Sequence, residues 1–398
     1  MIKVSPFVWL ICSFIGYFAA YGIFLPYLPV WLKAYHYSDE TIGIVVAFSF
    51  LFRFIGSMLF SQWVKLPSAL VSMLRLIAWL SLGLVLAMVT TTEIAWLLIA
   101  LIWLFNAVFG AGIPLTDSLA SNWQRQVKLD YGKARLTGSL AFIGANLLGG
   151  YILGIFGDQS MMWLLTALFI GYGTIQMLSP DPYPQDPLVQ NLETATQAET
   201  QIERMQNAVS YKTILADKKV VALLAALALI QGAHAAYYAY GVLYWADLGI
   251  GVELSGWLWG TSVAAEVLVF FFAGRLFKNC SLYSLLMFTT CVAVFRWIGM
   301  GLATHFIEFL LLQTLHGITF ALCHFATIRY IAGCPPSYIA KLQALYNGVC
   351  SCLSVALFML LAGAVYRHDP TWAFYLMSIL LLPTFWLLRQ VRELKPVV

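Results

Sequence analysis

GAGIPLTDSLASNWQRQVKLDYGKARLTGSLAF (110–142) leaves one apolar run, turns through a basic loop and enters the next apolar run. Asp117 and Arg135 lie nine residues either side of Gln126, so two membrane helices joined here return them to similar depth. Ionised side chains at that depth are costly, are usually paired and mark a solute or ion path. Whether the flanking runs do span a membrane decides the fold.

The composition answers that they do. Hydrophobic residues make up 61% of the chain and charged residues 10%, with a mean hydropathy of +0.83, against about 25% charged in a soluble domain. The apolar runs are continuous and about twenty residues long, which is the signature of membrane helices; barrel strands alternate over about ten. They fall near 7–32, 41–64, 69–90, 94–122, 135–156, 160–178, 219–246, 255–276, 282–302, 306–331, 342–365 and 370–389, twelve in all. The first is not expected to be a cleaved signal: it is too long, holds Pro26 and Pro29, and lacks a small-residue cleavage site. The seven cysteines include no CxxC pair and fall mostly in apolar runs, where they serve as small packing residues.

One long polar stretch divides the twelve. It opens SPDPYPQDP (179–187), whose four prolines forbid helix, and continues through a Gln-, Glu- and Thr-rich run that is too polar to span. The expected organisation is an all-α polytopic membrane protein: a six-helix bundle at 1–178, a linker at 179–218 and a second six-helix bundle at 219–398. Lys and Arg are retained on the cytoplasmic side of membrane proteins. With the N-terminus inside, sixteen of them fall on the inner side and only Lys33 and Arg367 on the outer. Both termini and the linker are therefore expected in the cytoplasm, and the net charge of +4 needs no nucleic-acid partner. Arg53, Arg75, Arg135 and Arg296 belong to no loop.

The halves also repeat. Gly16, Ala19, Ala20 and Tyr21 match Gly232, Ala235, Ala236 and Tyr237; Gly43 then pairs with Gly256 and Lys65 with Lys278. Two six-helix repeats with a cytoplasmic linker are the architecture of secondary transporters, which hold the solute at the repeat interface near the midplane. At the later offset Arg53 corresponds to Glu266, opposite charges at equivalent positions.

The stretches YGIFLPYLPVWLK (21–33), TIG (41–43), DYGKARLTG (130–138), QGAHAAYY (231–238), FRWIG (295–299) and LQTLHG (312–317) make the chain resemble the major facilitator superfamily. Within it the chain is similar to the 3-phenylpropionate permease family, close to lactose permease and the nucleoside–proton symporters. The resemblance implies alternating access and proton-coupled uptake across a bacterial inner membrane. It places Asp117 and Arg135 on the sugar-binding carboxylate and the helix-5 arginine of lactose permease, and Phe142 on the aromatic against which the sugar stacks. Arg296 and His316 fall on the arginine and histidine of the proton network. The chain also departs from that pattern. Thr319 stands where a carboxylate is expected one turn after His316, and Glu266 is displaced by about one turn from the helix-8 glutamate. His234 and Ser351 replace part of an Asp–Lys network, and the superfamily's loop signature is degenerate in SQWVKLPSA (61–69) and GRLFKNCS (274–281).

The residues then sort into two expected sets. Asp117, Arg135, Phe142, His234, Tyr237 and Tyr238 form the substrate-binding set. Arg135 presents a bidentate fork to a carboxylate, Phe142 a ring to a ring, and Asp117 holds the arginine when the site is empty. Snorkelling to the interface is the plain alternative for Arg135, and a fixed salt bridge is the alternative for Asp117. Glu266, Arg296, His316 and Arg53 form the proton-coupling set, since Glu266 lies too deep in its run to snorkel and a protonated carboxyl is neutral where no cation is near. A permanent structural ion pair is the alternative there. Tyr237, Tyr238 and Tyr240 are together weak candidates for an aromatic pocket, while Tyr244 and Trp245 are expected in an interfacial belt. Gly16, Gly22, Gly144, Gly149 and Gly150 are expected at close helix contacts.

No metal or cofactor is expected beyond the proton as coupling ion, because His316 and His324 are about 12 Å apart on one helix. A membrane enzyme is disfavoured, since the sequence offers neither a nucleophile–base pair nor a nucleotide loop. The leading expectation is a proton symporter for a small organic solute, an aromatic carboxylate such as 3-phenylpropionate. A nucleoside or sugar symporter and an uncoupled facilitator remain the alternatives. The expected partners are the solute and the lipid bilayer, and because one chain holds both halves it is expected to act as a monomer.

Overall fold

The computed structural model describes residues 2–64, 66–186 and 209–394. The Gln-, Glu- and Thr-rich run of the linker at 187–208, with Arg204, lies outside the described residues, as do Lys65 and Lys395. Within them are eleven helices long and apolar enough to cross a membrane. They are α1 (Pro6–Ala34), α2 (Asp39–Trp63), α3 (Pro67–Thr90), α4 (Ala95–Val127), α5 (Tyr131–Phe156), α7 (Lys218–Asp247), α8 (Val252–Leu276), α9 (Leu282–Leu302), α10 (Phe306–Ala332), α11 (Pro336–Tyr366) and α12 (Pro370–Gln390). The sixth place is taken by the shorter α6 (Met161–Gln176), which a 3-10 turn at Asp158–Ser160 precedes. Six of these twelve helices precede residue 187 and six follow residue 208.

Side chains at the helix starts satisfy orphan amides. Ser5, Ser38, Asp130, Ser281 and Asp369 each accept a bond from an N–H of the first turn, and prolines occupy the first turns of α1, α3, α11 and α12, where no amide partner is lost. Arg75, unassigned from sequence, donates to the carbonyls of Gln176 (2.8 Å) and Leu178 (3.0 Å) at the end of α6. Arg329 does the same for the end of α8, reaching Phe277 O at 2.8 Å and Cys280 O at 2.5 Å.

Four helices are not regular throughout. α4 is interrupted at Ala111 and α7 at Ala233–His234, while α10 and α11 widen into π-helix at Gly317–Leu322 and Tyr346–Leu353. Such breaks free backbone groups and re-aim side chains, and in membrane proteins they gather at functional sites.

By contact the chain forms two compact units, Met1–Asp186 with Tyr237–Ala264, and Pro187–Ala236 with Ala265–Val398. The sequence-based boundaries follow the order of the chain; the contacts join the connected halves of α7 and α8 to the first unit. Gly256 of α8 lies so close to α5 that a Cβ there would overlap the Asn146 carbonyl, and a Cβ at Gly150 would meet Val252 O at 2.8 Å. Tyr240 donates to the Asp39 carbonyl at 2.9 Å. Tyr244 and Trp245, expected in an interfacial belt, are instead buried at 2% and 0% exposure, because this stretch packs into protein. Of the expected close-contact glycines, Gly16, Gly22, Gly149 and Gly150 do meet neighbouring helices, but Gly144 faces open space.

The start of the linker is bound to the first unit. Lys3–Val4 pairs in parallel with Ser179–Pro180, Trp9 Nε1 donates to Leu178 O at 3.2 Å, and Ser68 donates through N and Oγ to the Asp186 carboxylate at 2.8 and 2.6 Å.

Candidate functional site

The second unit contains a continuous buried hydrogen-bond network. Arg296, in the middle of α9, is fully buried, and its guanidinium lies 4.5 Å from the Trp297 ring centroid. It donates to His316 Nδ1 at 2.8 Å, Thr319 Oγ1 at 3.0 Å and Gln313 Oε1 at 2.7 Å. All three acceptors come from α10, where the π-helical segment starts one residue after His316.

The donors and acceptors fix where the protons sit. A guanidinium has only donors, so His316 Nδ1 accepts, and the hydrogen of the neutral ring is on Nε2. That nitrogen lies 2.9 Å from Glu266 Oε1 and donates to it. His234 Nδ1 is 3.1 Å from the Ile230 carbonyl, which can only accept, so Nδ1 carries its hydrogen. His234 Nε2 then accepts from Thr319 Oγ1 at 3.2 Å. Thr319 thus accepts from Arg296, and its one hydrogen is shared between His234 Nε2 and the His316 carbonyl, 3.4 Å away. The chain runs Arg296 to His316 to Glu266 on one side, and Arg296 to Thr319 to His234 on the other.

The Glu266 side chain is 20% exposed while His316 is 3% exposed, so the carboxylate forms the open end of the chain and the arginine the closed end. Gly317 makes the approach of α8 possible, since a Cβ there would lie 2.6 Å from Ala265 O. The expected proton set of Glu266, Arg296 and His316 is therefore brought together in space. His234, expected with the substrate, belongs to this network instead: it is fully buried, with its ring edge-on to His316 at 5.2 Å. Arg53, expected with the proton set, lies in the first unit.

There the charges rest on aromatic rings. Arg135 places its guanidinium 4.2 Å from the Phe18 centroid and 5.6 Å from that of Phe14. Asp117 does not grip it directly as expected. Its Oδ1 accepts from Tyr131 OH at 2.9 Å, and Asp117, Tyr131 and Arg135 act on one another electrostatically. The hydroxyl of Tyr131, in the first turn of α5, thus stands between the carboxylate and the guanidinium. Gly138 lets Phe18 lie along α5 between Arg135 and Phe142, since a Cβ would meet that ring at 2.5 Å. Phe142 is buried, T-shaped to Tyr21 at 5.7 Å. Tyr21 in turn receives Arg53, through a hydrogen bond to its hydroxyl and a guanidinium 4.2 Å above its ring. Arg53 lines a cavity with Tyr21, Phe24, Phe50 and Asn106.

The tyrosines of α7 form a separate aromatic stack in the same unit. Tyr237 is fully buried, stacks on Trp259 at 4.4 Å and donates to Ser262 Oγ at 3.1 Å. Tyr238 is half-buried between Trp259 at 6.0 Å and Phe50 at 5.9 Å. Of the two, Tyr238 keeps an accessible surface.

Sequence reading missed Tyr21, Phe18, Tyr131 and Gln313. Tyr21 stood in the repeat match with Tyr237, and Tyr131 in the quoted DYGKARLTG, so both were in view without a role. Gln313 is three residues before His316, one helical turn, the spacing at which a polar neighbour shares its face.

Comparison with known proteins agrees with this architecture. The chain is 36% identical over 387 residues, 96% of its length and 97% of the other's, to the "Probable 3-phenylpropionic acid transporter" of Escherichia coli (strain K12). The crystal structure of nucleoside transporter NupG superposes with a TM-score of 0.78 at 13% identity, covering 98% of this chain and 100% of that one. That of a D-xylose-proton symporter gives 0.66 at 14% identity, with 96% of each covered. At such identities these structures establish the fold alone, that of major facilitator transporters. The model of the MFS_1 like family matches residues 7–377, and with the full-length relative at 36% identity the chain belongs to that family.

Proposed function

We propose that the protein is a proton symporter that imports a small aromatic carboxylate, of the class of 3-phenylpropionate, across the bacterial inner membrane by alternating access. The observation that carries the proton part is the hydrogen-bond chain from Arg296 through His316 Nε2–H to the half-open carboxylate of Glu266. The carboxylate end is the one that takes a proton, because His316 has already given its only lone pair to Arg296. An incoming proton neutralises Glu266, and an incoming organic anion supplies the charge that is lost, so the loaded protein carries the same net charge as the empty one. The name of the full-length relative supports the solute class, and so does an arginine, Arg135, already resting on two phenylalanine rings. A ring-bearing acid finds its charge and its apolar body matched in one place. The distribution of Lys and Arg supports placing both termini in the cytoplasm.

The test is uptake of labelled 3-phenylpropionate, a nucleoside and a sugar into proteoliposomes with and without an imposed pH gradient. The aromatic acid should accumulate only with the gradient. Accumulation of a neutral solute alone refutes the solute class, and equilibration without accumulation refutes coupling. Glu266→Gln should abolish accumulation and leave exchange between equal concentrations intact, since exchange requires no net proton release.

A further inference from the structure

A second imidazole, which the proposed function does not use, stands two turns along α10 from His316. His316, Phe320 and His324 stack as a row, with centroid separations of 5.4 and 6.3 Å and interplanar angles of 11° and 13°. His324 Nδ1 lies 3.2 Å from the hydroxyl of Tyr346, in the π-helical segment of α11. That hydroxyl is buried and also receives Gln231 Nε2 of α7 at 2.9 Å. From α8, the charge of Glu266 acts on His324, and Phe270, one turn beyond Glu266, meets the imidazole edge-on at 6.0 Å and 90°. The titratable groups of the surrounding elements are thus Glu266 of α8 and Tyr346 of α11, with Cys323 of α10 and Cys350 of α11 beside the tyrosine.

The two histidines differ in what their partners allow. The lone pair of His316 is committed to Arg296, a group without acceptors, so a second proton has no place there. His324 faces a hydroxyl, which either donates or accepts, so it keeps this partner whether the ring holds one proton or two. α8 and α10 cross in the same direction, and from Glu266 and His316 both lead through Phe270 and His324 to the end that carries Arg275, Lys278 and Arg329.

We infer that His324 is a second station on the proton path, which receives the proton from Glu266 and releases it toward the end bearing Arg329. This rests on the proton-coupled function proposed above. In the step, the O–H bond of the protonated Glu266 breaks and the proton passes through a bridging water to the unprotonated imidazole nitrogen, leaving a carboxylate and an imidazolium. The imidazolium then loses the proton to water at the cytoplasmic end, and the network returns to its starting charge.

The test uses the full chain in proteoliposomes with 3-phenylpropionate as probe. In His324→Gln, gradient-driven influx should fall by about ten-fold or more, with equilibrium exchange within about two-fold of wild type. Wild-type influx should decline as the internal pH is lowered, because an acidic interior holds the proton on the imidazole, and the variant should lose that dependence. Tyr346→Phe, which removes the adaptable partner and keeps the ring, should show the same split at about three-fold. Full accumulation by both variants overturns the inference, and so does a parallel loss of influx and exchange, which marks a packing role. A wild type that exchanges the probe but never accumulates it overturns the coupled function, and this station with it.

Discussion

The two units differ in how their hydrogen bonds constrain an intramembrane arginine. In the second, Arg296 is enclosed and bonded to His316, Gln313 and Thr319. In the first, Arg135 lies over the face of Phe18. A ring face attracts a cation without consuming a directed N–H, whereas three acceptors fix a guanidinium in one orientation. The first arrangement leaves an arginine able to turn toward a ligand. The second makes it a permanent charge whose influence is passed on through an imidazole. Under the proposed function this contrast corresponds to solute recognition in one unit and proton handling in the other, and it can be broken at either end.

The largest effect is expected at Arg296. Arg296→Met fills similar volume but leaves Gln313, Thr319 and His316 with unmet acceptors and Glu266 without its distant counter-charge. Removing one partner of a buried charged network costs about 3–5 kcal/mol. The variant should unfold at a clearly lower temperature in detergent and lose all accumulation. Arg296→Lys should recover part of the stability without the transport, because one ammonium cannot reproduce the fork that spans His316 and Gln313. A methionine variant of native stability means that the network is not continuous.

The fold was legible because membrane spans are long and compositionally extreme, and because the linker prolines and the asymmetry of Lys and Arg are read without tertiary knowledge. The candidate site was legible only where charge stood out against apolar sequence, as at Asp117, Arg135, Glu266 and Arg296. Tyr131, Phe18 and Tyr21 are aromatics in an aromatic-rich protein, so their selection by a guanidinium leaves no local signal. The breaks at Ala111 and Ala233–His234 and the π-helical turns at 317–322 and 346–353 likewise arise from how neighbouring helices accept freed backbone groups. Thr319 shows the limit of reading by resemblance: where a carboxylate was expected, a hydroxyl joins Arg296 to His234, and the acid is supplied by α8.

An intermediate effect is expected from Tyr131→Phe. Without the hydroxyl, the Asp117 carboxylate loses its donor and turns to Arg135, where it competes with the solute. A hydrogen bond to a charged group contributes about 1.5–3 kcal/mol, so the KM for the aromatic acid should rise by about ten-fold or more. The accumulation ratio should stay unchanged, because the network of Arg296, His316 and Glu266 is untouched. Adding Asp117→Asn removes the competing charge and should bring KM back toward wild type. A KM that rises further in the double variant refutes the competition and makes Asp117 itself a binding group.

The smallest effect tests the ring face alone. Phe18→Leu keeps an apolar side chain against Gly138 but removes the π-face 4.2 Å from the Arg135 guanidinium. A cation–π contact contributes about 0.5–2 kcal/mol depending on how dry it is, so KM should change by about two- to thirty-fold, with maximal velocity preserved. The direction is informative. If the ring orients Arg135 for the solute, KM rises. If the ring instead competes with the solute for the guanidinium, KM falls, and Phe18 is then the group that an aromatic acid displaces on entry. Comparison with an aliphatic carboxylate of similar length shows whether the ring works through the arginine alone: an action on the guanidinium shifts both acids equally, whereas a contact with the ring of the ligand shifts only the aromatic acid.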